Sequence, residues 1–213
     1  PQEGDRVDFA LIAASRDQGK QKRLLLGSSA ASFRGGRSKL SIAPDGGLVL
    51  RGVSGRHAII DRLDSGNTYY TFVDSGAFTA EYSSMSNMDP DGIQLSGDRG
   101  VSISSSVFDF MGIAGGTNTY LALRDLTSQA TFYGLVFGAS RSTAGAPSAY
   151  NARVEGSDAG LRWVLRKSSG ALAGDDFDDD AGEKVLFGPF APASGAPSIA
   201  GAFLSSASAQ WTD

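Results

Sequence analysis

The chain has no cysteine in 213 residues and a single histidine, His57. Without cysteine there is no disulfide framework, no thiolate metal site and no cysteine nucleophile. Any Ser-His pairing or imidazole-bound metal has to use His57, and a zinc ion there would need three carboxylates or waters, outside its usual ligand sets. Ser54 stands nearby, but Gly52-Val53-Ser54-Gly55 falls short of the Gly-x-Ser-x-Gly elbow of a hydrolase. Neither a phosphate loop nor a dinucleotide fingerprint is present, so the glycines read as turns. No apolar run approaches the roughly 18 to 20 residues of a membrane span. The start Pro1-Gln2-Glu3-Gly4-Asp5 has neither the basic nor the apolar region of a signal peptide. These absences lead to the expectation of a soluble chain made in the cytoplasm, with no cofactor, no obligatory metal and no membrane insertion. Pro1 is expected to be a natural terminus left by removal of an initiator Met.

What is abundant is turn-forming and small: 28 glycines, with many serines and alanines, beside 41% hydrophobic residues. Short apolar or alternating runs separated by turn residues are a strand signature, not the 3.6-residue period of helices. The expected fold is all-β, an antiparallel sandwich or barrel with little helix and an extended C-terminal arm. Hairpins are expected from Val7–Ala13 with Lys22–Leu26, and from Lys39–Ala43 with Leu48–Leu50 around Pro44-Asp45-Gly46-Gly47. Two more are expected from 57–63 with 68–73 and from 152–155 with 161–167. Further strands are read at 78–82, 93–95, 101–105, 107–111, 120–124, 131–138 and 184–187, with 83–92 as a loop. The expected core includes Phe9, Leu11, Leu25, Ile59, Phe72, Leu121, Phe132, Leu135, Val136, Trp163 and Leu165. No repeat of fixed period stands out.

A β-rich domain is read over 1–187, with a subdivision near 139–150, followed by a Gly/Pro/Ala/Ser-rich arm over 188–213. In and beside that arm, Phe187, Phe190, Phe203, Leu204 and Trp211 are apolar anchors in a segment too poor in apolar surface to fold alone. Phe190, Phe203, Leu204 and Trp211 are therefore expected to contact other subunits of a homo-oligomer. The charge points the same way: residues 1–62 carry 11 Lys/Arg against 6 Asp/Glu, net +5, and residues 63–213 carry 8 against 17, net -9. Opposite poles suit packing of copies against one another. The basic half lacks aromatic interleaving, so nucleic acid is not an expected partner.

The run Asp175, Asp176, Asp178, Asp179, Asp180 and Glu183 puts six carboxylates into nine positions. Their repulsion favours a solvated or partner-facing loop, with a calcium site as the lesser alternative. Asp89-Pro90-Asp91-Gly92 is similar to the first half of a calcium loop but lacks the third acidic ligand. Paired carboxylates for glycan cleavage leave no mark in a sequence, because the fold sets their separation.

Two resemblances bear on function. Gly36-Arg37-Ser38, then Leu48-Val49-Leu50, then Val53-Ser54-Gly55-Arg56-His57-Ala58-Ile59-Ile60 resembles the first half of a forkhead-associated domain, a β-sandwich that binds phosphothreonine peptides. The resemblance implies that Arg37 and Ser54 contact phosphate or peptide and that His57 braces their loop. The family's Asn-Gly turn would fall near 74–79, where this chain has Asp-Ser-Gly-Ala-Phe-Thr, so the Asn that holds the peptide is missing.

Over most of its length the chain looks like phage or phage-like virion proteins. The carriers are Leu40-Ser41-Ile42-Ala43-Pro44-Asp45-Gly46-Gly47-Leu48-Val49-Leu50, Gly92-Ile93-Gln94-Leu95-Ser96-Gly97-Asp98 and the small-residue loops between short strands. This resemblance implies a non-catalytic structural or attachment subunit: tail fibre, spike, baseplate or head decoration. Such a subunit is made in the host cytoplasm and ends in the virion. Its implied partners are copies of itself, as a trimer, other particle subunits and a host surface glycan. The alternative is a cytoplasmic β-sandwich module that binds phosphothreonine peptides or carbohydrate.

Overall fold

The structure is a computed structural model that describes residues 20–27, 37–97, 100–109, 118–139 and 149–188. Among the described residues seventeen short strands follow one another almost without helix. In chain order they are β1 (Arg23–Leu26), β2 (Arg37–Ile42), β3 (Gly47–Arg51), β4 (Ala58–Arg62), β5 (Thr68–Asp74), β6 (Ala77–Glu81), β7 (Ser83–Ser86), β8 (Met88–Ser96) and β9 (Val101–Ser104). Then come β10 (Val107–Asp109), β11 (Asn118–Arg124), β12 (Gln129–Tyr133), β13 (Val136–Phe137), β14 (Ala149–Glu155), β15 (Arg162–Arg166), β16 (Asp178–Asp179) and β17 (Val185–Gly188). A single 3-10 turn, Asp175–Phe177, is the helical content described. No helix among the described residues is long and apolar enough to cross a membrane.

The described residues are nearly all β, but the expected antiparallel sandwich or barrel is not what they form. The strands form three sheets with orders β1-β4-β7-β10-β13, β2-β5-β8-β11-β14-β16 and β3-β6-β9-β12-β15-β17, here called A, B and C. Every ladder between named strands is parallel. Each run of three strands is thus one coil, visiting A, B and C in turn, and the next coil stacks on it at the strand spacing of about 4.8 Å. The described residues form a parallel β-helix of five coils and part of a sixth.

The expected hairpins resolve differently under this topology. Lys39–Ala43 and Leu48–Leu50 do flank a turn closed by the Gly46 N–H on the Ala43 carbonyl at 2.8 Å. The turn swings the chain from sheet B to sheet C, so β2 pairs with β5 and β3 with β6 instead of with each other. The same holds for β4 with β5 and for β14 with β15, which lie in different sheets. Val7–Ala13, with Phe9 and Leu11, lies outside the described residues. The expected single strand 131–138 breaks at Gly134 (φ 64) into β12 and β13 on sheets C and A. The expected loop 83–92 is β7 and the first five residues of β8, with Met85 and Met88 fully buried. The coils continue across the expected subdivision: β13 pairs with β10 before 139–150, and β14 with β11 after it.

The interior is a stack of side chains in register. On sheet A, Leu24, Ile60, Met85, Phe108 and Phe137 form one inward column. On sheet B, Ile42, Val73, Leu95, Leu123 and Val154 form another. Phe108 and Phe137 stack at 5.5 Å, Tyr120 closes on both at 5.9 and 6.0 Å, and Trp163 meets Phe132 edge-on at 4.7 Å. Leu121, Phe132, Leu135, Trp163 and Leu165 are buried as expected. Leu25 is not: it is 41% exposed, because the alternation of β1 turns Leu24 and Leu26 inward. Ile59 gives way to Ile60 for the same reason, and Phe72 and Val136 are half-buried on outward positions.

A repeat does exist, in backbone conformation rather than in residue identity. At the B-to-C corner Ser75, Gly97, Asp125 and Gly156 all have positive φ, one per coil. At the C-to-A corner Tyr82, Ser105, Gly134 and Lys167 do the same. Five of these bends send an N–H to the coil above: Ser75 to the Ser96 carbonyl, Gly97 to Arg124, Tyr82 to Ser104, Ser105 to Tyr133 and Gly134 to Arg166. The left-handed region disfavours most side chains, and it persists here because the neighbouring coils enforce it. Outward ion pairs join adjacent coils at matched register: Arg51 with Glu81, Arg124 with Glu155 and Arg153 with Asp179.

Candidate functional site

The corner after β3 is longer than the C-to-A corners that follow it, with Gly52–His57 between β3 and β4 where Tyr82 alone separates β6 from β7. Gly52 donates its N–H to the Glu81 carbonyl at 2.9 Å, and a Cβ there would stand 2.2 Å from the Tyr82 carbonyl oxygen, so glycine is required. Val53 and Arg56 then exchange N–H···O bonds of 3.0 and 2.9 Å around Ser54 and Gly55, whose φ of 76° closes the turn. This small closed turn projects Arg56 beside Arg51. The Ile59 N–H binds the Lys22 carbonyl at 2.9 Å and so brings the segment before β1 alongside.

Between these segments lies an open-mouthed pocket of about 200 Å³, lined by Lys20, Gln21, Lys22, Arg51, Gly52, Val53, Arg56, His57 and Ala58. Four of the nine lining residues are Lys or Arg and none is acidic. Glu81, just outside, engages Arg51 at 2.9 Å. The His57 ring lies 6.3 Å from that of Tyr82. A concave wall carrying one sign of charge concentrates field in its mouth and draws anions. The +5 balance of residues 1–62 was the sequence signal for this site. Nothing local indicated that Lys20 and Lys22 would meet Arg51 and Arg56.

The residues singled out by the forkhead resemblance occupy different corners. Ser54 and His57 belong to the C-to-A corner just described. Arg37 opens β2 at the A-to-B corner, where its Nε donates to Asp89 at 2.8 Å and its Nη2 to Asp91, and its guanidinium lies 5.0 Å from the Tyr70 ring centre. The Asp91 N–H in turn donates to the Asp89 carboxylate at 2.9 Å. Asp89 is buried, and burial pushes its carboxyl above the usual range while the Arg37 hydrogen bond pulls it back. The segment that is similar to a calcium loop is therefore closed by an arginine and its own backbone.

The acidic run divides in the same way. Asp178 pairs with Ala152, in register with Leu121 and Ile93 on sheet B, and its carboxyl is pushed up to about 7 by desolvation first, then by Asp175, Asp180, Asp179 and Glu183. Asp179 faces Arg153 at 3.0 Å. Asp180 caps the next turn by accepting N–H groups from Gly182 at 3.2 Å, Val185 at 2.7 Å and Lys184. Asp175 and Asp176 are exposed in the 3-10 turn, as is Glu183 beyond it. Among the described residues no group of three or more His, Asp or Glu is placed to hold a metal ion. Of the arm anchors, Phe187 packs against the core from β17, and Phe190, Phe203, Leu204 and Trp211 lie outside the described residues. In comparisons with known proteins, no family model, no curated protein and no solved structure matches the chain.

Proposed function

We propose that the chain is a non-catalytic structural or attachment subunit of a virion or similar particle, acting through contacts with copies of itself and with neighbouring subunits. The observation that supports this reading is the coil-on-coil architecture. A stack of parallel coils is a straight, stiff element whose length is set by the number of coils, and its sheets end in strands with one described neighbour each: β1, β2 and β3 at one end, β13, β16 and β17 at the other. A strand paired on one side offers backbone donors and acceptors to a further chain. The basic first coil and the acidic sixth put opposite charge toward the two ends, so that copies or neighbouring subunits meet with complementary fields.

The finer parts of the proposal are a three-fold assembly and inter-subunit contacts from the arm residues Phe190, Phe203, Leu204 and Trp211. Light scattering on the full chain and on a chain ending at Gly188 tests both. The expected mass is a multiple of 22.1 kDa for the full chain, with assembly lost on truncation. A full-length monomer whose melting temperature is unchanged by truncation would sink the proposal.

A further inference from the structure

We infer that the pocket at the first C-to-A corner is a binding site for a small polyvalent oxyanion of the phosphate class, free or as a phosphomonoester. Three features carry the assignment. The first is charge: Lys20, Lys22, Arg51 and Arg56 line one cavity, Glu81 answers Arg51, and among the described residues Lys22 and Arg56 make no salt bridge. A monovalent carboxylate would balance only one of the Lys22 and Arg56 charges, whereas a phosphate dianion answers both. The second is size, since about 200 Å³ is smaller than the roughly 300 to 1,000 Å³ of sites for drug-sized ligands and suits a group of a few heavy atoms.

The third feature is preorganisation. Arg51 ends a strand laddered to β6, and Arg56 is held by the reciprocal Val53–Arg56 bonds across a turn that Gly52 locks onto the coil above. The backbone thus fixes where the two arginine side chains start, and their guanidinium groups supply charge-assisted bonds to phosphate oxygens. Among the described residues no carboxylate makes a salt bridge with Lys22, Arg56 or His57, all three of which line the pocket. Nucleic acid is disfavoured as the source of the phosphate, because the only ring in the lining is His57 and base stacking needs an aromatic platform. The site is independent of the assembly proposed above, and it survives if the chain is a monomer.

The test is a titration of the 15N-labelled full chain, followed by amide shifts, with four probes: inorganic phosphate, sulfate, glycerol phosphate and acetate. Saturable shifts are expected at Lys22 and over 52–58 with the first three and not with acetate, and they should weaken as salt is raised through about 0.1 M and above. Tighter binding of glycerol phosphate than of inorganic phosphate would assign the esterified source, and the reverse the free ion. The double variant Lys22→Gln with Arg56→Gln is expected to weaken binding by about tenfold or more, since hydrogen bonds to charged groups are the strong ones. Arg162→Gln, whose side chain is exposed and bonds its neighbour's Leu161 carbonyl, should leave binding unchanged. The parent shift map keeps the question decidable even if the double variant folds poorly. The inference is overturned by absence of saturable shifts, by shifts located elsewhere, by an equal response to acetate, or by affinity unchanged in a folded double variant. It is equally overturned if a phosphothreonine peptide or an oligonucleotide binds at the same residues about a hundredfold more tightly than any of the small anions.

Discussion

Phe108→Ala puts the stacked interior to its most direct test. The Phe108 side chain is fully buried, fourth of five in the sheet A column, with Met85 on one side and Phe137, stacked at 5.5 Å, on the other, and with Tyr120 tilted against it. A buried aromatic side chain removes about 150 Å² or more from water, which at about 25 cal/mol per Å² is worth about 4 kcal/mol. Measured Phe→Ala costs of about 3 to 5 kcal/mol include the cavity left behind and bracket that figure. The cavity would open between the third and fifth coils, where both neighbours are held by ladder hydrogen bonds and collapse is limited. For a chain of this size about 1 kcal/mol moves the midpoint by about 2 to 4 °C, so a drop of about 8 to 16 °C is expected. Calorimetry and urea unfolding on the same preparation measure it, and Phe108→Leu should recover more than half of the loss. A fall of less than about 3 °C with an unchanged circular dichroism spectrum would refute the column, because an exposed or peripheral ring costs that little.

Two further outcomes are expected. Asp178 has a folded-state carboxyl raised from an ordinary 3.8 to about 7, so between those values the folded state holds a proton that the unfolded state has released. Stability contributed by the protonated group is therefore full below about pH 4 and lost as pH rises toward 7. Asp178→Asn should gain melting temperature over the parent progressively across that window, and an identical pH profile for the two proteins would refute the assignment. At the A-to-B corner, Arg37→Ala leaves the buried Asp89 carboxylate without its cation and should cost about 3 kcal/mol, since removing one partner strands the other. Adding Asp89→Asn should restore part of that loss in urea unfolding, and strictly additive losses would show that the two side chains do not interact.

Much of the local structure was legible in the residues. The turn at Pro44-Asp45-Gly46, the alternation that puts Leu48 and Leu50 inside and Val49 outside, and Trp163 as a buried anchor all follow from turn chemistry and a period of two. The absence of long helices followed from the same pattern, and the basic excess of residues 1–62 marked the end of the molecule where the pocket lies. Which strand each of these segments would pair with was not legible. A strand, a tight turn and a second strand read identically whether the turn reverses the chain within one sheet or carries it around a corner to the next. The difference lies in how far the turn rotates the chain, and in partners a whole coil away. Those partners recur without recurring residues, because stacking demands only an inward apolar side chain and a left-handed bend, and Tyr82, Ser105, Gly134 and Lys167 serve as that bend equally. Composition and alternation therefore determined that this chain is built of short β-strands with polar turns. Only the tertiary structure decided that the ladders are parallel, that Leu25 faces solvent while Leu24 faces the core, and that cations from two separate segments share one pocket. Each of these depends on contacts between coils, which local sequence does not encode.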